Sequence, residues 1–456
     1  MSSSSLQLLL ITLTTSLLLS NATNDHPNKN LPSSMDRIEL ETLFKIMETL
    51  SSDQDWRVSY PNPCQPGSSW PGIECKYTPM DNHFHVTRLD FGTPPNPSCK
   101  NTAKFPSEIF QLPHLESIFV FQCFTEAPTR ISVPPNKPLM SRLQQLSFRS
   151  NSALIGTIPP QISSLKSLQI LTLSQNKLTG EIPVEIFSLS SLVHLDLSYN
   201  LLSGAIPLEV GNVRSLVGLD LSYNRLMGQI PSAIGELRIL QKLDLSSNSL
   251  TGSVPESIQH LQSLVFLALS NNNLRGSFPR GLTGLQNLQY FLMDDNPMFV
   301  PLPEELGRLK KLQELRLANS GYSGTIPPSY SQLTNLSTLS LQNNRLSGQI
   351  PVGLANLSHI YHLNLSRNFL DGVVPFNSSF LKRLGKNLDL SGNLRLCLSP
   401  SAGNSVNVGV GVCGSSKTSS LITPVRKSEA PLKCSILFIV NIALVILTLV
   451  YTSFCG

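Results

Sequence analysis

The stretch Leu168-Gln-Ile-Leu171-Thr-Leu173-Ser-Gln-Asn176-Lys-Leu178-Thr-Gly180-Glu-Ile182-Pro183 decides the fold, because it recurs every 24 residues. One period on, Leu192, Leu195, Leu197, Asn200, Leu202, Gly204, Ile206 and Pro207 stand in the same places. Prolines mark the register without a slip at Pro159, Pro183, Pro207, Pro231, Pro255, Pro279, Pro303, Pro327, Pro351 and Pro375. A fixed period of this size means stacked coils. Leu171 and Leu173 alternate about Thr172, so each coil holds a short strand with its leucines on one face. The leucines point into the coil and the residues between them line a concave surface. Asn176 and its equivalents turn inward, where a buried amide has to be hydrogen-bonded. A ladder of such amides ties neighbouring coils together at about 1 kcal/mol net per bond. One coil cannot bury its own leucines, so only the stack is stable. With strands about 4.8 Å apart, ten coils present an arc on the order of 50 Å. That is a surface for a peptide or a macromolecule, not a pocket for a metabolite.

The pattern L-x-x-L-x-L-x-x-N-x-L is the leucine-rich repeat. The predicted fold is an α/β solenoid, a leucine-rich-repeat superhelix of 24-residue coils with cysteine-bridged N- and C-terminal caps. Residues 1–22 read as a signal peptide with apolar runs Leu6–Leu10 and Leu17–Leu19. Residues 23–100 form an N-terminal cap, polar at first and then helical from Asp36 to Leu50, with Ile38, Leu43, Met47 and Leu50 near one face. Val86–Phe91 is a strand that starts the sheet. Residues 101–396 hold about twelve coils, with an insertion at Pro128–Pro138. Residues 397–433 make a C-terminal cap and polar linker, and 434–456 a hydrophobic tail.

Eight cysteines fit secretion. Proximity in sequence suggests bridges Cys64–Cys75, Cys99–Cys123 and Cys397–Cys413, at the ends where a solenoid exposes its core. Four glycosylation sequons follow the signal, at Asn335, Asn356, Asn364 and Asn377. Asn364 lies between two core leucines and faces the concave surface. The tail reads as a GPI-attachment signal, since no Lys or Arg follows it and Arg426, Lys427 and Lys433 precede it. A single membrane span is the alternative. Either way the protein is carried through the secretory pathway to the outer face of the plasma membrane.

Charged residues make up 14% of the chain and the net charge is +5, with no basic run, so nucleic-acid binding has no support. No phosphate loop, kinase motif or nucleophile elbow is present, and an enzyme is not expected. No cofactor motif is present either. His83-Phe-His85 and His359-x-x-His362 have no third ligand nearby in sequence, so no metal site is predicted. The informative positions are concave ones. Most coils offer bland residues there, such as Thr172, Ser174, Asp244 and Ser246. Tyr199 and Tyr223 add exposed aromatics. Then Phe266 and Ala268, Tyr290, Leu292, Asp294 and Asp295, and Glu314 and Arg316 break the pattern and cluster apolar rings beside charge. Exposed aromatics beside an arginine are the material of interface hot spots. Val300 replaces a glycine and Ser320 replaces a ladder asparagine, which marks that coil as irregular and locally weak.

Trp56, Cys64 and Trp70-Pro-Gly-Ile-Glu-Cys75, with coils ending L-x-G-x-I-P, resemble the plant-specific extracellular leucine-rich-repeat proteins over residues 36–413. Asn296-Pro-Met-Phe-Val-Pro-Leu-Pro303-Glu-Glu-Leu-Gly-Arg-Leu309 and Leu315-Arg-Leu-Ala-Asn-Ser320-Gly-Tyr-Ser-Gly324 resemble the kinase-less receptor-like proteins related to TOO MANY MOUTHS and Piriformospora indica-insensitive protein 2. The resemblance implies a cell-surface co-receptor, partnered by a receptor kinase ectodomain and a secreted peptide or protein ligand, in developmental or defence signalling. The alternative is a wall-resident inhibitor of a pathogen hydrolase, similar to the polygalacturonase-inhibiting proteins.

Overall fold

The alternating leucines of the repeat become one continuous sheet. The computed structural model describes residues 35–51, 54–65, 70–92, 94–134, 142–402 and 407–414. The expected signal peptide, the distal part of the insertion, the polar linker and the hydrophobic tail lie outside the described residues. Residues up to Cys413 form one compact unit; Gly414 belongs to a second.

The sheet has fourteen strands. An antiparallel hairpin, β1 (Ile73–Thr78) and β2 (His83–Phe91), opens it. Parallel strands follow in chain order: β3 (Ser117–Phe121), β4 (Gln145–Arg149), β5 (Ile170–Thr172), β6 (His194–Asp196), β7 (Gly218–Asp220), β8 (Lys242–Asp244), β9 (Phe266–Ala268), β10 (Tyr290–Leu292), β11 (Glu314–Arg316), β12 (Thr338–Ser340), β13 (His362–Asn364) and β14 (Leu388–Asp389). The unforeseen strand β1 covers the edge of β2, which would otherwise offer unpaired backbone groups. Register is strict: Leu195 lies opposite Leu219, and Leu219 opposite Leu243, all three buried. Most coils return through a 3-10 turn opened by their proline. The Pro183 carbonyl, for example, accepts from Ile186 N at 3.1 Å.

The asparagine ladder satisfies the backbone between coils. Asn200 donates from Nδ2 to the carbonyls of Leu173 (2.7 Å) and Leu197 (3.0 Å), and its Oδ1 accepts from Leu178 N (3.0 Å). Ser320 is too short to reach the matching amide of Met298, which bonds instead to the carbonyls of Asn296 and Ser320. The chain between is rerouted: Phe299 takes the left-handed conformation (φ 51°) that glycine holds at Gly276 and Gly324. The departures at Val300 and Ser320 are therefore one feature, and Ser320 Oγ makes its own bond to the Ala318 carbonyl at 2.7 Å.

The caps close the stack. Asp36 caps helix α1 (Arg37–Leu50), accepting from Ile38 N and Glu39 N. Leu43, Met47 and Leu50 are buried as expected, but Ile38 in the first turn is exposed. A second short helix, α2 (Trp56–Ser59), brings Trp56 edge-on to Trp70, ring centroids 5.1 Å apart. Disulfides join Cys64 to Cys75, Cys99 to Cys123 and Cys397 to Cys413. At the far end helix α3 (Ser378–Leu384) replaces the 3-10 turn, and Arg383 donates to the carbonyls of Leu357, Ser358 and Ile360.

Candidate ligand-binding face

Two rows of side chains run across the sheet on the face turned away from the leucines, and strand register fixes their order. One row reads Thr172, Asp196, Asp220, Asp244, Ala268, Leu292, Arg316, Ser340, Asn364. The other reads His194, Gly218, Lys242, Phe266, Tyr290, Glu314, Thr338, His362. The face thus passes from acid, through an apolar centre, to a charged pair.

At the acidic end each aspartate first serves its own strand. Oδ1 of Asp196, Asp220 and Asp244 accepts from the backbone N and the hydroxyl of Ser198, Ser222 and Ser246. Lys242 Nζ donates to Asp220 Oδ2 at 2.7 Å. Burial, and then the Asp220 charge, push the Asp244 carboxyl up to about 7. The same two causes raise Asp196. His194 is held below the usual imidazole range by burial and then by Lys242. A Cβ at residue 218 would come 2.6 Å from His194 Nδ1, so the glycine there lets the imidazole lie across the row. These aspartates read as bland repeat residues in the sequence. Their signal was the in-register repetition of one charge over three coils.

Tyr199 and Tyr223 stack at 4.1 Å with planes 9° apart, each 42% exposed. Burial raises the Tyr199 hydroxyl pKa, and so do Tyr223 and the charges of Asp220 and Asp244, so this ring borders the acidic row. Both tyrosines have φ 53°. Left-handed backbone recurs at this position in coil after coil, at Gln175, Ser247, Asn271, Asp295, Asn319 and Asn343, so it belongs to the coil and marks no site by itself. It does disfavour tyrosine relative to asparagine. Tyr223→Asn is expected to leave the melting temperature unchanged or slightly raised. A fall of more than about 1 kcal/mol in urea unfolding would show that the ring pair holds the coils together.

The apolar centre corrects one expectation. Phe266 and Ala268 are buried, at 7% and 3% exposure. Lys242 crosses the Phe266 ring (5.9 Å to the centroid) and Tyr290 covers its other side (6.1 Å between rings), so Phe266 offers no contact surface of its own. Tyr290 is half-buried and donates its hydroxyl proton to Gln313 Oε1 at 3.2 Å. Asp294 is a clip between coils: its Oδ1 accepts from Ala318 N at 2.7 Å, and burial pushes its carboxyl up to about 6. Leu292 is half-buried, and Asp295 is exposed. Arg316 is exposed and ion-paired with the half-buried Glu314. Asn335, Asn356 and Asn377 are exposed, and Asn364 stands in the first row. Two recesses of about 370 and 340 Å³ lie at Lys45, Lys100 and Lys104 and at Arg214 and Arg238.

The solenoid is built of leucine-rich repeats: family models described as leucine rich repeat match residues 141–202, 167–226, 214–274, 238–298 and 335–357. Within that class the chain is similar to plant receptor-like proteins. It is 67% identical over 144 residues to Receptor like protein 29 of Arabidopsis thaliana, covering 32% of this chain and 31% of that one. It is 38% identical over 137 residues to Protein TOO MANY MOUTHS of the same plant, covering 29% and 26%. The matches thus span about a third or less of these relatives' own length. Among solved structures, it shares the fold of the Arabidopsis receptor kinase HAESA, solved in complex with the peptide hormone IDA and the co-receptor SERK1. There the TM-score is 0.64 at 29% identity, over 80% of this chain and 58% of that one. Among the described residues no helix is long and apolar enough to cross a membrane.

Proposed function

We propose that this protein is a cell-surface binding module that takes a secreted peptide or protein on the open face of its sheet. It acts as a co-receptor with a receptor kinase in developmental or defence signalling, attached to the plasma membrane through its C-terminal segment. The observation that carries the reading is the graded face itself. An acidic row with a stacked tyrosine pair leads through Tyr290 and Leu292 to the exposed Arg316. Aromatic and arginine side chains on a flat surface are hot-spot material. The HAESA structure, which holds a peptide hormone and a co-receptor on the same fold, supports the kind of partner.

The test is capture of partners from plant membranes by the tagged full chain displayed at the cell surface. Receptor kinases are expected in the captured set. They are expected to be lost in the double variant Tyr290→Ala, Arg316→Ala, with surface level unchanged. Recovery of a secreted hydrolase with no kinase would replace this reading by the inhibitor one.

A further inference from the structure

The N-terminal cap contains a polar centre that the binding face does not use. His85 is 4% exposed and lies between two carboxylates. Its Nδ1 is 2.6 Å from Glu39 Oε2 and its Nε2 is 2.8 Å from Asp81 Oδ2. Glu39 is itself buried, and its other oxygen accepts from Val86 N at 2.9 Å. A neutral imidazole has one N–H and one lone pair. With Nδ1–H donated to Glu39, Nε2 turns a lone pair on the Asp81 carboxylate. Two lone pairs at that distance require a positive charge: a second ring proton, or a metal ion between them.

A third ligand is in place. The His114 ring lies 3.8 Å from that of His85, planes 24° apart, and one ligand atom each of Asp81, His85 and His114 lies within 4.8 Å of the others. Arg88 pairs with Ser117 across β2 and β3, so the same register three residues earlier sets His85 beside His114. The spacing along the chain hid this, because the partner of His85 comes from the next coil and not from His83. Arg142 Nη1 donates to His114 Nδ1 at 3.3 Å, a bond that the histidine gives up on ligating an ion.

We propose that Asp81, His85 and His114 form a site for a divalent transition metal ion of the zinc type, oriented by Glu39. Two imidazole nitrogens and one carboxylate oxygen suit zinc better than calcium or magnesium. A buried carboxylate on the far nitrogen of a ligating histidine is the arrangement that fixes ring orientation in metal sites. Three protein ligands leave a fourth position for water. Ligand bonds of about 2.0–2.1 Å need the Asp81 carboxylate to draw back a few tenths of an ångström and the stacked His114 ring to turn a nitrogen toward the ion. Its side chain is 43% exposed on the hairpin turn and free to do so. Ligation through either ring nitrogen of His114 removes the lone pair that Arg142 uses, and the exposed Arg142 turns to solvent. The ion then clips together the β1–β2 hairpin and the start of the first repeat, while Glu39 carries the link to α1.

The experiment titrates zinc chloride into the purified full chain, stripped with EDTA, with calorimetry and thermal unfolding as readouts. One equivalent is expected to bind and to raise the melting temperature. The variant Asp81→Asn, His114→Ala is expected to lose at least about 100-fold in zinc affinity, while His359→Ala, His362→Ala leaves zinc affinity unchanged. No zinc-dependent shift overturns the proposal, as does uptake that survives the first variant or vanishes in the second. Should the first variant fold poorly, cobalt substitution of the wild type decides. Intense visible bands of a four-coordinate ion support the site, and a weak octahedral spectrum overturns it.

Discussion

Asn200→Ala lowers the free energy of unfolding by about 3 kcal/mol. The side chain is 6% exposed and its bonds run into two coils. Alanine orphans the Leu178 amide in a buried place and takes one donor each from the carbonyls of Leu173 and Leu197, which Asn176 and Asn224 still reach. The orphaned amide costs about 1–3 kcal/mol and each of the two lost carbonyl bonds about 0.5–1.5, part of which relaxation of the coil recovers. The loss falls on one inter-coil interface. In a stack whose stability is a sum of coil and interface terms, that interface becomes the place where the solenoid divides. Urea unfolding with a second, earlier transition is therefore expected as well. A change below about 0.5 kcal/mol would show that the amide ladder is not what couples the coils. The coil at Ser320 shows what replacing the amide demands: the preceding turn bonds to itself, through a left-handed Phe299.

The stack was readable from residues because its period is strict and each position has one physical job. Leu195 fills, Asn200 bonds, Pro207 opens the return turn, and the same words recur ten times. The ends were less readable, since they break the period. Nothing in Ile73–Thr78 announces a strand that pairs backwards on β2, and Ser378–Leu384 becomes a helix in place of a 3-10 turn. The proposed binding face was legible as a row of positions on the sheet but not as a surface. Exposure depends on what neighbours do across coils, so Phe266 looked available when Lys242 and Tyr290 cover it. Asp294 looked like an available charge of the patch when it is held by Ala318 N. The reverse error hid Asp196, Asp220 and Asp244. Each is ordinary in its own coil, and their meaning lies in the parallel register that stacks them side by side.

That register leads to a measurable liability. Asp244→Asn is expected to raise stability by about 1–3 kcal/mol at pH 7.5 and to add nothing near pH 4. The unfolded carboxyl titrates near 4, whereas burial and then the Asp220 charge hold the folded one at about 7. Between these values the native state keeps a proton that the unfolded chain has lost. Its stability contribution is therefore complete below about pH 4 and is lost as pH rises through about 7. Lys242 offsets only part of this, since its ammonium is spent on Asp220 at 2.7 Å. Asparagine keeps the local structure: Asn364 already does the same task, accepting from Ser366 N and Oγ at 3.1 and 2.7 Å, against 3.0 and 2.6 Å for Asp244 and Ser246. Urea unfolding of both proteins across this pH range gives the answer, and equal slopes would sink the argument. A carboxylate that lowers stability, where an amide would serve the turn equally well, has a use outside folding. On the proposed binding face that use is contact with the partner, so the stabilised variant is expected to capture less of it.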